Sequence, residues 1–240
     1  MIRTFLFLAV GVVALVVLIW GYQYFQAPQD QSEVGISAGE ASTAVVGPAA
    51  TFNFTSDPVG AMPSTFEPMR TGQGEIGQWE VVEDATAEGG KVLAQLSADP
   101  TGNRFPLAAE QTYSAADVLA SVRFKPISGR IDQAGGVVVR LVDADNYYVA
   151  RANALEGNVG FYRVVDGQRQ QLDGAPVQLS TGEWHTLAIR AEGDRFTVLF
   201  DGAKVLSTTD GTFSAAGRIG FWTKADSVTY FERLDASRLQ

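Results

Sequence analysis

The sequence predicts an all-β fold, a jelly-roll sandwich of two antiparallel sheets, preceded by one N-terminal transmembrane helix. Three observations support this prediction. Residues 5–20 form an apolar run without a charged side chain. From residue 51 onward, strand-like segments alternate with turn signals, and no long stretch keeps a helical period. The chain has no cysteine, so its folded part must depend on a hydrophobic core rather than on disulfides.

The N-terminal segment, residues 4–25, has the length and polarity of a membrane-spanning helix. About 20 apolar residues cross a bilayer core, and Trp20, Tyr22 and Tyr24 would form an aromatic belt at one interface. Bulky residues follow the run where a signal peptidase needs small ones, which favours a retained anchor over the alternative of a cleaved signal peptide. Arg3 then keeps the N-terminus cytoplasmic. The sequence therefore predicts a single-pass protein of the inner membrane with a periplasmic domain.

Composition divides the remainder into a linker and one domain. Residues 26–50 are rich in Ala, Gly, Ser, Gln and Pro and contain no aromatic residue, as in a flexible linker. Residues 51–240 suffice for one domain with a full core. The chain has a net charge of −9, which argues against nucleic acid as a partner.

Short apolar segments separated by Asp-Gly and Gly-Asp turn signals define the predicted strands. Alternation with a period of two is clear over residues 118–125 and 196–200. No βαβ alternation and no internal repeat interrupts the pattern, which is typical of a two-sheet antiparallel sandwich. The predicted strands are 51–55, 78–83, 92–96, 118–124, 137–142, 147–153, 159–165, 184–191, 196–200, 204–207, 218–223 and 228–234.

A family resemblance covers about residues 117–236. It is carried by the segments NYYVARANALEGNVGFYRVVDGQRQQL, GEWHTLAIRAEGDRFTVLFDG and GRIGFWTKADSVTYFERLDA. These resemble the bacterial 3-keto-disaccharide hydrolase family, whose members are often labelled family 16 glycoside hydrolases. The resemblance implies a concanavalin-A-like lectin/glucanase sandwich with a concave face that holds sugars. It does not establish turnover, because one fold hosts many functions.

The acidic residues do not form an obvious catalytic pair. Glycoside hydrolysis usually needs two carboxyl groups about 5.5 Å apart or more, and the E-x-D-x-x-E spacing of family 16 enzymes is absent. Glu156 and Asp226 are the candidate acids if the protein is an enzyme, because both lie in loops beside polar strands. The alternative is that they are turn acids paired with Arg151 or Lys224. His185 is the only histidine, which argues against a catalytic triad or a zinc site.

Long polar side chains and aromatic rings on neighbouring predicted strands suggest a binding face. An aromatic ring can stack on a sugar while nearby polar groups bind hydroxyls. Packing and internal ion pairs are the alternative explanation. The candidate ligand-binding residues are Arg140, Tyr148, Arg151, Asn153, Tyr162, Trp222 and Lys224.

A structural calcium ion is the one cofactor that the sequence leaves open. Asp57 in the first loop and Asp235 near the last strand would meet at a sheet edge, with carbonyl oxygens completing the shell. Calcium prefers six to eight oxygen ligands, of which the sequence offers few carboxylates here.

Three functions agree with these features. The favoured one is a non-catalytic accessory or scaffold subunit of a bacterial membrane complex, anchored in the lipid bilayer through residues 4–25 and contacting protein partners. The alternatives are a membrane-tethered module that binds carbohydrate, and a hydrolase or lyase that cleaves 3-keto-glycosides.

Overall fold

Fifteen β-strands form two sheets over residues 50–239, the part of the chain that the computed structural model describes. Every strand pairing in this range is antiparallel. The predicted all-β class and two-sheet architecture are therefore confirmed. The predicted membrane helix, its aromatic belt and the linker up to residue 49 lie outside the described residues. Between residues 50 and 239 there is no helix with the length and hydrophobicity needed to cross a bilayer.

The strands are β1 (Ala50–Asn53), β2 (Phe66–Gly72), β3 (Trp79–Glu83), β4 (Lys91–Gln95), β5 (Arg104–Ala115), β6 (Val118–Ser128), β7 (Ala134–Asp143), β8 (Asn146–Asn153), β9 (Asn158–Val165), β10 (Gln168–Pro176), β11 (His185–Glu192), β12 (Arg195–Phe200), β13 (Ala203–Thr209), β14 (Gly217–Trp222) and β15 (Val228–Arg238). The eight-stranded sheet has the order β13-β12-β11-β6-β15-β4-β3, and β1 pairs with β15. The seven-stranded sheet has the order β10-β9-β8-β7-β14-β5-β2.

The main hydrophobic core lies between the two sheets. Alternate residues of each strand supply it, as the period of two requires. At its centre the rings of Phe221 and Phe231, one from each sheet, have centroids 4.6 Å apart, and Phe124 packs on Phe231 at 6.5 Å. Burial of this interface excludes water from both inner faces and supplies most of the apolar stabilisation.

A second apolar cluster lies on the other face of the seven-stranded sheet, and its members all come from strands of that sheet. The contacts across it show that the sheet curls. Arg169 on edge strand β10 lies with its Cζ atom 4.7 Å from the ring centroid of Phe105 on β5, five strands away. Five flat strand spacings would separate them by about 24 Å. Likewise, Thr71 on β2 and Tyr147 on β8 are hydrogen-bonded at 2.7 Å. This face is therefore concave, and the curling buries its floor.

Candidate functional site

An aromatic floor covered by one arginine occupies the centre of the concave face. Phe105 and Trp222 stack with centroids 5.5 Å apart and an interplanar angle of 14°. The Cζ atom of Arg169 lies 4.5 Å from the ring centroid of Tyr162 and 5.7 Å from that of Trp222. Among residues 50–239 the Arg169 guanidinium has no hydrogen bond or ion pair, and its Nη1 is buried without a partner. Burial lowers the pKa of Arg169, and its attraction to the rings offsets part of the lost hydration.

A hydrogen-bond chain fixes the floor beneath that arginine. The Thr71 hydroxyl donates to the carbonyl of Ala144 at 2.5 Å and therefore accepts from the Tyr147 hydroxyl. The Tyr147 oxygen accepts in turn from the indole N–H of Trp222 at 3.2 Å. Burial raises the pKa of Tyr147 to about 12, so the hydroxyl keeps its proton over the physiological range. The indole and the phenol are thus held in one orientation.

A polar edge borders the floor at the other end of β8 and β9. The Nη2 atom of Arg151 donates to Glu156 at 2.6 Å and to the Tyr162 hydroxyl at 2.9 Å, while its Nη1 donates to Asn158. The Arg151 Cζ atom also lies 5.6 Å from the Tyr162 ring centroid. The ring of Tyr162 is therefore contacted by two guanidinium groups, those of Arg151 and Arg169.

Two glycines make room for these side chains. Gly136 on β7 and Gly160 on β9 are the direct cross-strand neighbours of Arg151. A Cβ atom on Gly160 would stand 2.6 Å from the hydroxyl and Cε2 of Tyr162. One on Gly136 would stand 2.8 Å from a backbone carbonyl and 3.3 Å from Trp222. The absence of side chains on both flanks lets Tyr162 fold back over the strand to meet Arg151.

A buried carboxylate lies beside this edge, in the loop between β6 and β7. Asp132 is 1% exposed, and it accepts from the side-chain amide of Asn153 at 2.6 Å. The ammonium of Lys224 lies 2.7 Å from the second oxygen of Asp132. The Asn153 oxygen accepts from the backbone amides of Gln133 and Leu155. Because it is buried and both atoms of its amide have partners, Asn153 positions Asp132, and its predicted binding role stays a prediction.

A cavity of about 620 Å³ opens onto the concave face, and Phe105, Arg169 and Lys224 line part of its wall. Three side-chain amides also line it, and within residues 50–239 none of them has a hydrogen-bond partner. An unengaged amide in such a wall presents both a donor and an acceptor to whatever fills the cavity. These amides belong to Gln73, Asn103 and Gln168.

The two acids near Lys224 and Arg151 are driven in opposite directions by their surroundings. Burial raises the pKa of Asp132, and the hydrogen bond and charge of Lys224 only partly oppose this. Burial alone would also raise the pKa of Glu156, but the charge and hydrogen bond of Arg151 hold it below its ordinary value. Neighbouring carboxyl groups with divergent pKa values are a recurrent arrangement in acid/base sites.

Two predicted ligand-binding residues, Tyr148 and Arg140, lie in the interior of the domain and not at the concave face. Tyr148 faces the inter-sheet core, where its ring stacks on Phe161 at 5.8 Å and its hydroxyl donates to Asp210 at 2.6 Å. Arg140 is 1% exposed, with its Cζ atom 5.1 Å from the Phe196 ring, which also belongs to the core. The structure therefore does not place either side chain at the concave face, because adjacent residues of a strand point to opposite faces and Arg140 lies at a bulge with φ of +49°.

Arg140 is held at that bulge by backbone oxygens. Its guanidinium donates to the carbonyls of Ala116, Phe213 and Gly193 at 2.7–2.8 Å and lies 3.3 Å from the Asp117 carboxylate. These partners belong to separate loops at one end of the sandwich. Arg140 therefore ties those loops together and has a structural role.

Trp222 lies on the predicted face but offers no open platform. Its side chain is 0% exposed, because Phe105 stacks on it and the Arg169 guanidinium lies near it. A sugar could reach this ring only if Arg169 moved. Arg151, Tyr162 and Lys224 lie at the same concave face, so the structure brings these predicted residues together around Arg169.

The candidate catalytic acid Asp226 is occupied as a turn cap. Its carboxylate accepts from the backbone amides of Arg130 at 2.6 Å, Ile131 at 3.0 Å and Asp132 at 3.0 Å. Burial opposes ionisation, but these amides hold the pKa of Asp226 below its ordinary value. A carboxylate saturated in this way is a poor proton carrier, which argues against the predicted catalytic role of Asp226. Glu156 is the candidate acid that remains.

We expect Asp226→Asn to destabilise the domain by about 1–3 kcal/mol at pH 7, because an amide has only one acceptor oxygen for these donors. A lowered folded-state pKa gives stability that is present above the unfolded value near 4 and is lost as the pH falls through the folded value. The difference from wild type should therefore shrink below about pH 4. Urea unfolding at pH 7, 5 and 3 measures it, with exposed Asp194→Asn as control. A difference that grows on acidification would contradict this role.

The predicted calcium ligands Asp57 and Asp235 both have hydrogen-bond partners within the domain. The Asp235 carboxylate accepts from the Thr51 hydroxyl at 2.7 Å and from Arg233 at 3.0 Å. The backbone carbonyl of Asp57 accepts from Lys91. Within the described residues no three or more acidic or histidine side chains come together as metal ligands, so the structure gives the calcium prediction no support.

Comparisons with known proteins show the fold of this chain. Neither a protein-family profile nor a curated protein sequence matches it. Among solved structures, the carbohydrate-binding module CBM66 from Bacillus subtilis is similar with a TM-score of 0.52 and 24% identity, over 65% of this chain and 88% of that one. A family 16 glycoside hydrolase, an endo-glucanase from Bacteroides ovatus, has a TM-score of 0.55 and 10% identity, over 78% and 99%.

A third similar structure is domain 4 of an extracellular arabinanase from Geobacillus stearothermophilus, in complex with arabinotriose. Its TM-score is 0.52 at 14% identity, over 79% of this chain and 91% of that one. These likenesses confirm the concanavalin-A-like sandwich that the family resemblance implied. At such identities they establish the fold, and the functional argument must come from the site.

Proposed function

We propose that this protein is a carbohydrate-binding module whose glycan site is the cavity on the concave face. The observation that carries the proposal is the convergence of unengaged polar groups on one aromatic-walled cavity. The amides of Gln73, Asn103 and Gln168 and the guanidinium of Arg169 supply hydrogen bonds, and Phe105 supplies an apolar wall. Sugar sites combine these two features, because a pyranose has apolar faces and a rim of hydroxyls.

Similar sandwiches support the proposal without deciding it. One is described as a carbohydrate-binding module, and another was solved with arabinotriose. The more specific support is the position of the three exposed amides, which line the same cavity as Arg169 and can exchange water for sugar hydroxyls.

We expect the double variant Gln73→Ala/Asn103→Ala to lose at least about tenfold in glycan affinity, because each lost hydrogen bond contributes about 0.5–1.5 kcal/mol. Both side chains are exposed and unpaired within the described residues, so the melting temperature should not change. A glycan array with the full chain identifies the ligand, and calorimetry measures the affinity. Gln178→Ala is the matched control, an exposed amide outside the cavity. Unchanged affinity in the double variant would rule out this cavity as the site.

A second candidate is cleavage of 3-keto-glycosides, favoured by the divergent pKa values of Asp132 and Glu156. A ketone at C3 acidifies the C2 proton, so an ionised Glu156 could accept that proton. The C1–O bond would then break to leave a C1–C2 double bond, and the departing oxygen would take a proton from Asp132, whose pKa is raised by burial.

We expect no hydrolysis of unoxidised disaccharides or β-glucans, because the sequence lacks the E-x-D-x-x-E carboxylate spacing of family 16 enzymes. An assay of 3-keto-trehalose with wild type and Glu156→Gln tests the remaining activity. Turnover by wild type that is lost in Glu156→Gln would show that the protein is an enzyme. If wild type turns over none of these substrates, the binding function is the one that remains. Asp194→Asn serves as the control for loss of a surface acid.

We further propose that residues 4–25 anchor this module in the inner membrane, with the sandwich in the periplasm. The uncharged run and its flanking aromatics support this. N-terminal sequencing of the mature protein tests it, since a start between residues 27 and 50 would exclude a retained anchor. The accessory-subunit role stays a prediction, and identification of proteins that co-purify in mild detergent would test it.

A further inference from the structure

We propose that the cavity selects acidic sugars, with Arg169 binding the carboxylate of a uronate residue. This rests on the proposed glycan-binding function and specifies its ligand class. The inference begins from Arg169, whose guanidinium forms no hydrogen bond and no ion pair within residues 50–239.

The buried arginines of the described residues have charged or carbonyl partners, whereas Arg169, which is half-buried with a buried Nη1, does not. Arg104 lies 3.6 Å from Asp99 and donates to two backbone carbonyls, Arg140 is held by three carbonyls and Asp117, and Arg151 pairs with Glu156. Arg169 has none of these. The chain has an excess of acidic residues, so a shortage of carboxylates does not explain this exception. Removing a guanidinium from water without a counter-charge is unfavourable, and the loss is recovered when a ligand supplies that charge.

The orientation of Arg169 leaves the edge that binds carboxylates available. Its Nη1 is the buried nitrogen, against the rings. Within residues 50–239 the Nε and Nη2 nitrogens form no hydrogen bond, and both are accessible to solvent. These two N–H groups lie side by side on one edge of the guanidinium, in the fork that matches a carboxylate bidentately. Because Phe105, Tyr162 and Trp222 fix the plane of the group, the fork is preorganised for a ligand.

The charges around the cavity favour a single carboxylate over a multiply charged anion. Arg151 forms an ion pair with Glu156 and Lys224 with Asp132, which leaves Arg169 as the cation of this group without an ion pair. Two exposed acids, Asp145 and Asp166, line the same cavity and form no ion pair with Arg169 within residues 50–239. They would repel phosphate or a polysulfated chain more than a sugar with one carboxylate per residue. The neighbouring amides remain available for the hydroxyls of the same ring.

The test compares charged and neutral forms of one glycan. Calorimetry with the full chain would use trigalacturonate and trimannuronate, each beside its carboxyl-reduced neutral counterpart. We expect each uronate to bind about 10- to 100-fold more tightly than its neutral form, as charge-assisted bidentate pairs do. Arg169→Gln should remove most of that preference while changing the affinity for the neutral form less than about threefold. Arg195→Gln, an exposed arginine on β12, should keep the preference intact.

Several results would overturn the inference. Equal affinity for charged and neutral trisaccharides, or equal weakening of both by Arg169→Gln, would exclude a carboxylate-specific role while leaving glycan binding in place. Phosphate that competes at the concentrations of the uronates would indicate a general anion site instead. If no glycan binds, the proposed function fails with it. Thermal melting checks that Arg169→Gln is folded, and Arg169→Lys, which keeps the charge but loses the fork, should also lose the preference.

Discussion

Replacement of Arg140 by alanine is expected to destabilise the domain by about 3–5 kcal/mol, the loss typical of removing one partner from a buried charged network. Three carbonyls and Asp117 would lose their donor at the end of the sandwich. For a domain of this size, each kcal/mol lowers the melting temperature by about 2–4 °C. Thermal and urea unfolding of the full chain would measure the loss.

The matched control for Arg140→Ala is Arg195→Ala, which removes the same charge from an exposed position and should change stability by less than about 0.5 kcal/mol. The experiment also separates the two roles considered for Arg140. Wild-type stability combined with lost glycan binding would support the ligand-binding role predicted from the sequence, against the structural role seen here.

The second large effect is expected at Gly160. Its substitution by alanine would place a methyl group 2.6 Å from the Tyr162 ring and hydroxyl, and overpacking of this kind costs about 1–3 kcal/mol. The ring must move, and it contacts both Arg151 and Arg169. We therefore expect at least a tenfold loss of glycan affinity as well as lower stability.

Calorimetry and thermal melting test the two consequences of Gly160→Ala separately. Gly211→Ala is the control, because an added Cβ there meets no atom within 4 Å. Wild-type affinity in Gly160→Ala would mean that the position of Tyr162 does not matter for the ligand, and that the site lies elsewhere on the concave face.

Most strands of the main core could be predicted from the sequence, because Val, Ile and aromatic runs between turn signals mark them. The predicted strands missed β2, β5 and β10. Each has a composition that hides a strand: β2 contains a proline and lies at a sheet edge, β5 combines Pro106 with successive alanines, and edge strand β10 is mostly polar. The hydrophobic pattern does not predict such strands, because their burial depends on the curling of the sheet rather than on local hydrophobicity.

Those omissions explain why the centre of the site was not predicted. Phe105 lies on β5 and Arg169 on β10, and the two meet only because the sheet curls. Asp132 lies in a loop, where its burial leaves no sequence signal. Both faces of β8 are buried, so the sequence has no period-two pattern to show that Tyr147 faces the concave side and Tyr148 the inter-sheet core. Arg151, Tyr162 and Lys224 were found because a polar side chain within an apolar strand is visible without knowledge of the fold.

The last two strands, β14 and β15, occupy interior positions, one in each sheet. In the seven-stranded sheet β14 lies between β5 and β7, and in the eight-stranded sheet β15 lies between β6 and β4 and also holds β1. A growing chain that has not yet reached Gly217 can pair β2 with β5 and β3 with β4, but it has no strand to connect these pairs to the rest of their sheets. Assembly must wait for the C-terminal residues. Removal of β14 and β15 would split each sheet into two separate parts. Because these two strands pair with strands far away in sequence, we expect the domain to fold slowly and as one cooperative unit.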